Sequence, residues 1–80
     1  MVYLEKIEVT EETVKYYYYQ REGDEKGILI YLPKTGACKV EKFCEDDDEY
    51  YEGTRHHAFV RMIKYYREKK YPEKEMVAWG

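Results

Sequence analysis

The stretch VKYYYYQ, residues 14–20, contains four consecutive tyrosines and indicates which kind of fold the chain adopts. Tyrosine is enriched in β-strands, and successive side chains of a strand point to opposite faces of its sheet. Alternation therefore divides the segment into two sets: Val14, Tyr16 and Tyr18 on one face, and Tyr17 and Tyr19 on the other. Whatever packs on the first face, two aromatic rings remain on the second.

The segments around this stretch predict an antiparallel sheet. Four strands are predicted at about residues 2–9, 13–21, 28–32 and 37–44, and MVAW, residues 76–79, is a candidate for a short fifth strand at a sheet edge. The connections between the four strands are short and contain glycine, proline and acidic residues that favour turns. Parallel strands need crossovers of a dozen or more residues, so we expect a meander.

A single long helix is predicted at about residues 54–70. Its apolar residues recur at helical spacing: Phe59, Met62, Ile63 and Tyr66. Pro72 prevents the helix from continuing. The predicted architecture is therefore α+β, with residues 1–80 forming one domain in which an antiparallel sheet of four or five strands packs one amphipathic helix on one face.

This arrangement, closed by PEKEMVAWG at residues 72–80, resembles a group of small uncharacterised bacterial open reading frames of Firmicutes type. The resemblance implies the α+β fold and a cytoplasmic location, and it implies no activity. The N-terminal sequence MVYLEKIEV also favours the cytoplasm, because a signal peptide needs a basic start and a continuous apolar stretch. The longest apolar run, at residues 28–32, is far shorter than the roughly 20 residues of a membrane span.

No set of residues in the sequence points to catalysis or to metal binding. The chain contains no serine, and its five glycines are too dispersed for a phosphate-binding loop. His56 and His57 diverge by about 100° on a helix, so they cannot easily share one ion. Cys38 and Cys44 lie too far apart on a strand to form a disulfide or bind one metal. We therefore predict no enzyme activity, no metal and no cofactor.

One helix can cover one face of the sheet, which leaves the other face open. The helix is expected to cover Val14, Tyr16, Tyr18, Ile28, Ile30, Leu32 and Val40. The open face is expected to show Leu4, Tyr17, Tyr19, Leu29, Tyr31 and Phe43 among Lys6, Lys15, Arg21 and Lys39. An exposed apolar patch of this kind marks a contact surface, and tyrosine is enriched at interfaces.

The predicted function is protein–protein contact, most simply as a homodimer. The predicted interface consists of Tyr17, Tyr19, Tyr31, Phe43, Lys15 and Arg21. Two alternatives stay open. Aromatic and basic residues on an open sheet can bind single-stranded nucleic acid, although acidic residues on the same strands oppose this. Residues 1–52 hold seven basic and 14 acidic residues, so the acidic part of the chain could instead imitate a phosphate backbone and inhibit a nucleic-acid enzyme.

Overall fold

A computed structural model describes residues 1–45 and 52–79 and shows a five-stranded antiparallel sheet with one helix packed against it. The elements are β1 (Val2–Val9), β2 (Val14–Tyr19), β3 (Gly27–Leu32), β4 (Ala37–Lys42), α1 (Glu52–Glu68) and β5 (Lys74–Val77). The strand order is β4-β3-β2-β1-β5. The predicted α+β class is confirmed, and the C-terminal segment joins the sheet beside β1, beginning two residues earlier than predicted.

Short hydrogen-bonded turns make neighbouring strands of the meander antiparallel. In the first turn, Thr10 Oγ1 accepts a hydrogen bond from the Thr13 N–H at 3.0 Å, and the Thr10 N–H donates to the Thr13 carbonyl at 2.8 Å. In the turn between β3 and β4, the Gly36 N–H donates to the Leu32 carbonyl at 2.8 Å. Gly36 has a φ of 75°, which glycine adopts without the steric cost of a side chain.

The pairing register decides which side chains face the helix, because directly opposed residues of neighbouring strands share a face. Three opposed pairs lie on the helix side: Val14 with Tyr31, Tyr16 with Leu29, and Tyr18 with Leu4. Leu4, Leu29 and Tyr31 were predicted on the open face but lie on the helix side. Ile28, Ile30 and Leu32 were predicted under the helix but lie on the opposite face. Strand β3 alternates as predicted, but its pairing with β2 turns the other set of side chains toward the core.

The core lies between the helix and one face of the sheet. Its buried residues are Val2, Leu4, Val14, Tyr16, Tyr18, Leu29, Tyr31, Cys44, Ala58, Met62, Tyr65 and Val77. The helix contributes Ala58, Met62 and Tyr65 as the centre of its buried stripe, while the predicted Phe59, Ile63 and Tyr66 are partly buried beside it. Of the predicted stripe, only Met62 lies at the centre of the buried helix face, and the other three residues lie along one side of it.

The helix ends at Glu68, two residues before its predicted end, because the chain reverses at Lys69. Lys69 has a left-handed φ of 55°, and this conformation lets the Lys70 N–H donate to the Tyr65 carbonyl at 3.2 Å. Such a reversal satisfies carbonyl groups that the last turn of a helix leaves free. Residues 46–51, between Glu45 and the start of the helix, lie outside the described residues.

Candidate interaction surface

The sheet face away from the helix, called the open face below, carries a mixture of apolar, aromatic and charged side chains. The register places there Tyr3, Glu5, Lys15, Tyr17, Tyr19, Ile28, Ile30, Leu32, Lys39, Lys42, Lys74 and Met76. Within residues 1–45 and 52–79, no helix or further strand packs on this face. Ile28, Ile30 and Leu32 remain partly exposed there, and Met76 is 51% exposed.

Tyr19 lies on the open face but is completely buried. Its ring stacks on Tyr3 with the centroids 5.3 Å apart, and the ammonium groups of Lys26 and Lys74 lie 5.1 and 5.9 Å from its centroid. Lysine side chains often cover apolar surface in this way while their charged ends stay in water. Tyr19 is therefore the base of a small cluster and offers no free surface to a partner.

The hydroxyl of Tyr19 lies near Glu5 and Lys74, and within the described part of the chain it forms no hydrogen bond of normal geometry. Burial, together with the Glu5 carboxylate, raises the pKa of Tyr19 to about 12. The Tyr19 hydroxyl, and then the Lys26 ammonium group 2.9 Å away, hold the pKa of Glu5 below its ordinary value. At neutral pH the cluster thus combines a neutral tyrosine with a charged carboxylate.

Lysines on and around the open face are paired with carboxylates. Lys15 lies 3.4 Å from Glu41, Lys26 lies 2.9 Å from Glu5, Lys42 lies 2.6 Å from Glu25, and Lys74 is bonded to Glu22. Exposed pairs of this kind contribute little to stability, because water screens the attraction. Their main effect is that the open face carries both signs of charge side by side.

The structure brings together only part of the predicted interface. Lys15 and Tyr17 lie on the open face and are partly buried, and Arg21 is exposed just after β2 ends. Tyr31 instead lies under the helix, where its ring and that of Tyr66 meet edge to face with their centroids 5.9 Å apart. The placement predicted for Tyr31 is wrong because of the β3 register.

Phe43 is 58% exposed but lies beside the helix, 5.2 Å from the Arg55 guanidinium group. Its predicted place on the open face is wrong because the register between β3 and β4 shifts by one residue near Glu41, after which the alternation changes sides. Lys6, also expected on the open face, pairs with Tyr16 on the helix side and bonds to Glu73 at 2.7 Å.

Five residues of the open face were not predicted there: Ile28, Ile30 and Leu32, which were expected under the helix, and Tyr3 and Met76, for which no face was predicted. The signal for Ile28, Ile30 and Leu32 was the alternation of GILIYL, which is apolar on both faces and therefore does not tell which face is buried. Tyr3 and Met76 are opposite each other in β1 and β5. Their placement depends on the pairing of segments more than 70 residues apart.

A groove of about 460 Å³ lies on another part of the molecule, between α1 and the segment leading into β5. Its lining includes Arg61, Lys64, Tyr65, Lys70, Tyr71 and Glu75. The Tyr65 hydroxyl and the Arg61 guanidinium group both donate to Oε1 of Glu75, at 2.6 and 2.8 Å. These two bonds join the helix to the last strand and fix one wall of the groove.

The two histidines have different surroundings. His56 is exposed, whereas His57 is partly buried and stacks on Trp79 with ring centroids 4.2 Å apart and an interplanar angle of 15°. Cys38 is exposed and Cys44 is buried, and the two are not joined in a disulfide. Among the described residues, no three His, Cys, Asp or Glu side chains are grouped so that they could hold a metal ion.

Comparisons with protein-family models, with curated proteins and with solved structures found no match for this chain. No helix in the described part of the chain is long and apolar enough to cross a membrane. Inferences about function therefore depend on the surfaces themselves.

Proposed function

We propose that this protein acts in the cytoplasm by protein–protein contact, as a homodimer formed through the open face. The observation that supports this proposal is that Ile28, Ile30 and Leu32 remain partly exposed in neighbouring positions, while the helix covers the opposite face. A contiguous apolar patch on a small protein is the usual sign of a contact site.

The charges of the open face favour a second copy of the same chain as the partner. A two-fold interface places the same patch against itself, so a face of one sign would repel its copy. Here Lys15 and Lys42 each lie beside a carboxylate, Glu41 and Glu25. Both signs are therefore available for pairs across a two-fold axis.

The size of the face sets the expected strength of the dimer. Five strands about 4.8 Å apart, each with about six residues at about 3.3 Å, give a face of roughly 20 by 20 Å. This area, about 400 Å² per copy, is about half of the roughly 800 Å² per partner that specific interfaces bury, so we expect a weak dimer with a dissociation constant of micromolar or higher.

Single-stranded nucleic acid is the second candidate for the same face, and two observations make it weaker. Tyr19 and Tyr31 are buried, so fewer rings are free to stack on bases than the sequence suggests. Four lysines at the face are paired with carboxylates and are less available to phosphate groups. The acidic-inhibitor hypothesis rests on the acidic residues of positions 1–52, of which positions 46–51 lie outside the described residues. The proposal is therefore of a binding protein and not of an enzyme.

Sedimentation velocity from about 1 µM to about 1 mM tests the dimer over the expected range of affinity. We expect the wild type to pass from monomer to dimer and Ile30→Lys to stay monomeric, because the new charge lies between Lys15 and Lys39 on the open face. The matched control is Val60→Lys, which changes a 51% exposed apolar residue of the helix and should leave the dimer intact.

A monomeric wild type over the whole concentration range would contradict the proposal. A labelled single strand, titrated by fluorescence anisotropy at low salt, tests the second candidate in the same samples. Salt-sensitive binding that Ile30→Lys leaves unchanged would also count against the open face as the contact surface, because a new cation beside bound phosphate groups should strengthen the binding.

A further inference from the structure

Strand β5 is the last strand of the sheet on the side of β1, and half of its backbone groups face away from the sheet. The Lys6 N–H donates to the Glu73 carbonyl at 2.9 Å, and Leu4 and Glu75 are opposite each other two residues further along. Hydrogen bonding alternates along an antiparallel pair, so Glu75 bonds to β1 whereas the N–H and C=O groups of Lys74 and Met76 point outward.

The outward groups of Lys74 and Met76 are not paired with any other strand within residues 1–45 and 52–79. Such an edge is a template on which an extended segment of another chain can add by main-chain hydrogen bonds. The other edge strand, β4, suits this less because the register shift near Glu41 interrupts its regular pairing. Strand β5 keeps one register with β1 over its whole length.

The groove between α1 and β5 lies where an added strand would project side chains. A strand turns every second side chain to the same face, so alternate residues of a sixth strand would point to the helix side of the sheet. The rings of Tyr65 and Tyr71 and the cations of Arg61, Lys64 and Lys70 line the groove there, in a volume of about 460 Å³. The main-chain groups of β5 would then supply affinity, and the side chains of the groove would select the residues of the bound segment.

The charge of this region specifies an acidic partner. Residues 53–80 contain seven basic and three acidic residues, a net charge of +4. The lining of the groove holds three cations and the two carboxylates Glu68 and Glu75. Glu75 already accepts hydrogen bonds from Tyr65 and Arg61, and Glu68 lies 4.0 Å from Lys64 in an exposed pair. Lys64 and Lys70 are both exposed at the groove and are well placed to meet carboxylates.

We propose that β5 and this groove bind an acidic, extended segment of a partner protein, which joins the sheet as a sixth strand and places carboxylates beside Lys64 and Lys70. The groove lies on the helix side of the sheet, away from the open face, although the side chains of Lys74 and Met76 in β5 belong to that face. Trp79, the single tryptophan, stacks on His57 of the same helix near this site and provides a fluorescence signal.

The test uses the full chain and a fluorescein-labelled decapeptide of alternating glutamate and valine. We expect saturable binding by anisotropy, a change in Trp79 emission, and loss of affinity with added salt. The same peptide with lysine in place of glutamate should not bind. Lys64→Glu and Lys70→Glu should each weaken binding by about ten-fold, whereas Lys34→Glu, an exposed lysine of the β3–β4 turn, should leave the affinity unchanged.

A second pair of probes tests the strand addition without altering the protein. Two versions of the decapeptide are made, one N-methylated at the odd positions and the other at the even positions. One version retains the N–H groups that face β5, and the other version loses them. Only the version that retains these N–H groups should bind. Equal binding of both versions, or equal weakening by Lys34→Glu and Lys70→Glu, would overturn the proposal. A single-stranded DNA that binds as tightly as the peptide and depends equally on Lys64 would identify a general anion surface and would overturn it as well.

Discussion

The Tyr65 hydroxyl donates a hydrogen bond of 2.6 Å to Oε1 of Glu75, and this bond joins the helix to the last strand. The same oxygen accepts a hydrogen bond from Arg61 at 2.8 Å, and the Tyr65 ring lies 5.4 Å from the ring of Tyr16 in the core. Tyr65 is 5% exposed and the Glu75 side chain is 33% exposed, so the link joins a buried hydroxyl group to a partly exposed carboxylate. Hydrogen bonds to charged groups contribute about 1.5–3 kcal/mol, more than exposed ion pairs do.

We therefore expect Tyr65→Phe to lower the free energy of unfolding by about 1–2 kcal/mol, since Arg61 still pairs with Glu75 in the variant. Urea denaturation followed by circular dichroism measures the change. The matched control, Tyr17→Phe, removes a hydroxyl group for which the described residues show no hydrogen bond, and it should change stability by less than about 0.5 kcal/mol. Equal effects of the two substitutions would show that the bond to Glu75 does not stabilise the fold.

A second prediction concerns the alkaline titration of the tyrosines. Burial raises the pKa of Tyr16 and of Tyr65 well above the ordinary value, and burial with Glu5 raises the pKa of Tyr19 to about 12. A raised pKa in the folded state means that the folded chain keeps protons that the unfolded chain releases. The stability from these groups is fully present below about pH 10 and is lost as the pH rises above that value.

We expect absorbance of tyrosinate to appear in two steps, with the later step accompanied by loss of the circular dichroism signal. The control is the same titration in denaturant, where all 11 tyrosines should ionise in one step near pH 10. A native titration that is complete near pH 10 while the fold persists would show that Tyr16, Tyr19 and Tyr65 are not shielded as the structure indicates.

The alternation of β2 and the short connections were enough to predict the meander, and the helical spacing of Phe59, Met62, Ile63 and Tyr66 was enough to predict the helix. The face assignment of β3 was not predictable from alternation, because Ile28 and Ile30 on one side are as apolar as Leu29 and Tyr31 on the other. The burial of the Tyr19 ring also could not be predicted from the sequence. It depends on the side chains of Lys26, in a turn, and of Lys74, in a strand from the far end of the chain. The site residues therefore followed from tertiary pairing and not from local pattern.

One local signal for the β3 register was present in the sequence, namely the glycine that begins the strand. Gly27 is opposite Tyr18, and a Cβ atom there would collide with the Tyr18 ring and lie 2.5 Å from the Cys44 nitrogen and 2.7 Å from the Lys42 carbonyl oxygen. Glycine inside a strand often marks such a close approach. The Tyr18 hydroxyl accepts a hydrogen bond from the Cys44 N–H at 3.2 Å across the same point.

A third prediction follows from this contact. Gly27→Ala should destabilise the fold by about 1–3 kcal/mol or more, because the backbone atoms around it cannot yield as a flexible side chain can. Gly53→Ala is the matched control: nothing lies within 4 Å of its Cβ position in the helix, so it should be neutral or stabilise by up to about 1 kcal/mol. Thermal and urea unfolding of both variants give the comparison, and a stable Gly27→Ala protein would contradict the observed packing.

The last prediction uses the contact between His57 and Trp79, which holds the segment after β5 against the helix. The rings are stacked with centroids 4.2 Å apart, and Trp79 is 38% exposed. Removing the imidazole in His57→Ala should expose more of the indole, shift its emission to longer wavelength and increase quenching by acrylamide. The loss of stability should stay below about 1 kcal/mol, since the stack lies at the surface.

His56→Ala is the control for this experiment, because His56 is exposed on the same helix and its ring lies beside His57 at 5.7 Å. It removes an imidazole without removing the stack on Trp79, so the emission should stay close to that of the wild type. Identical spectra for the wild type and His57→Ala would mean that the tail does not rest on the helix in solution. In that case Trp79 would lie away from the groove, and anisotropy alone would have to report peptide binding there.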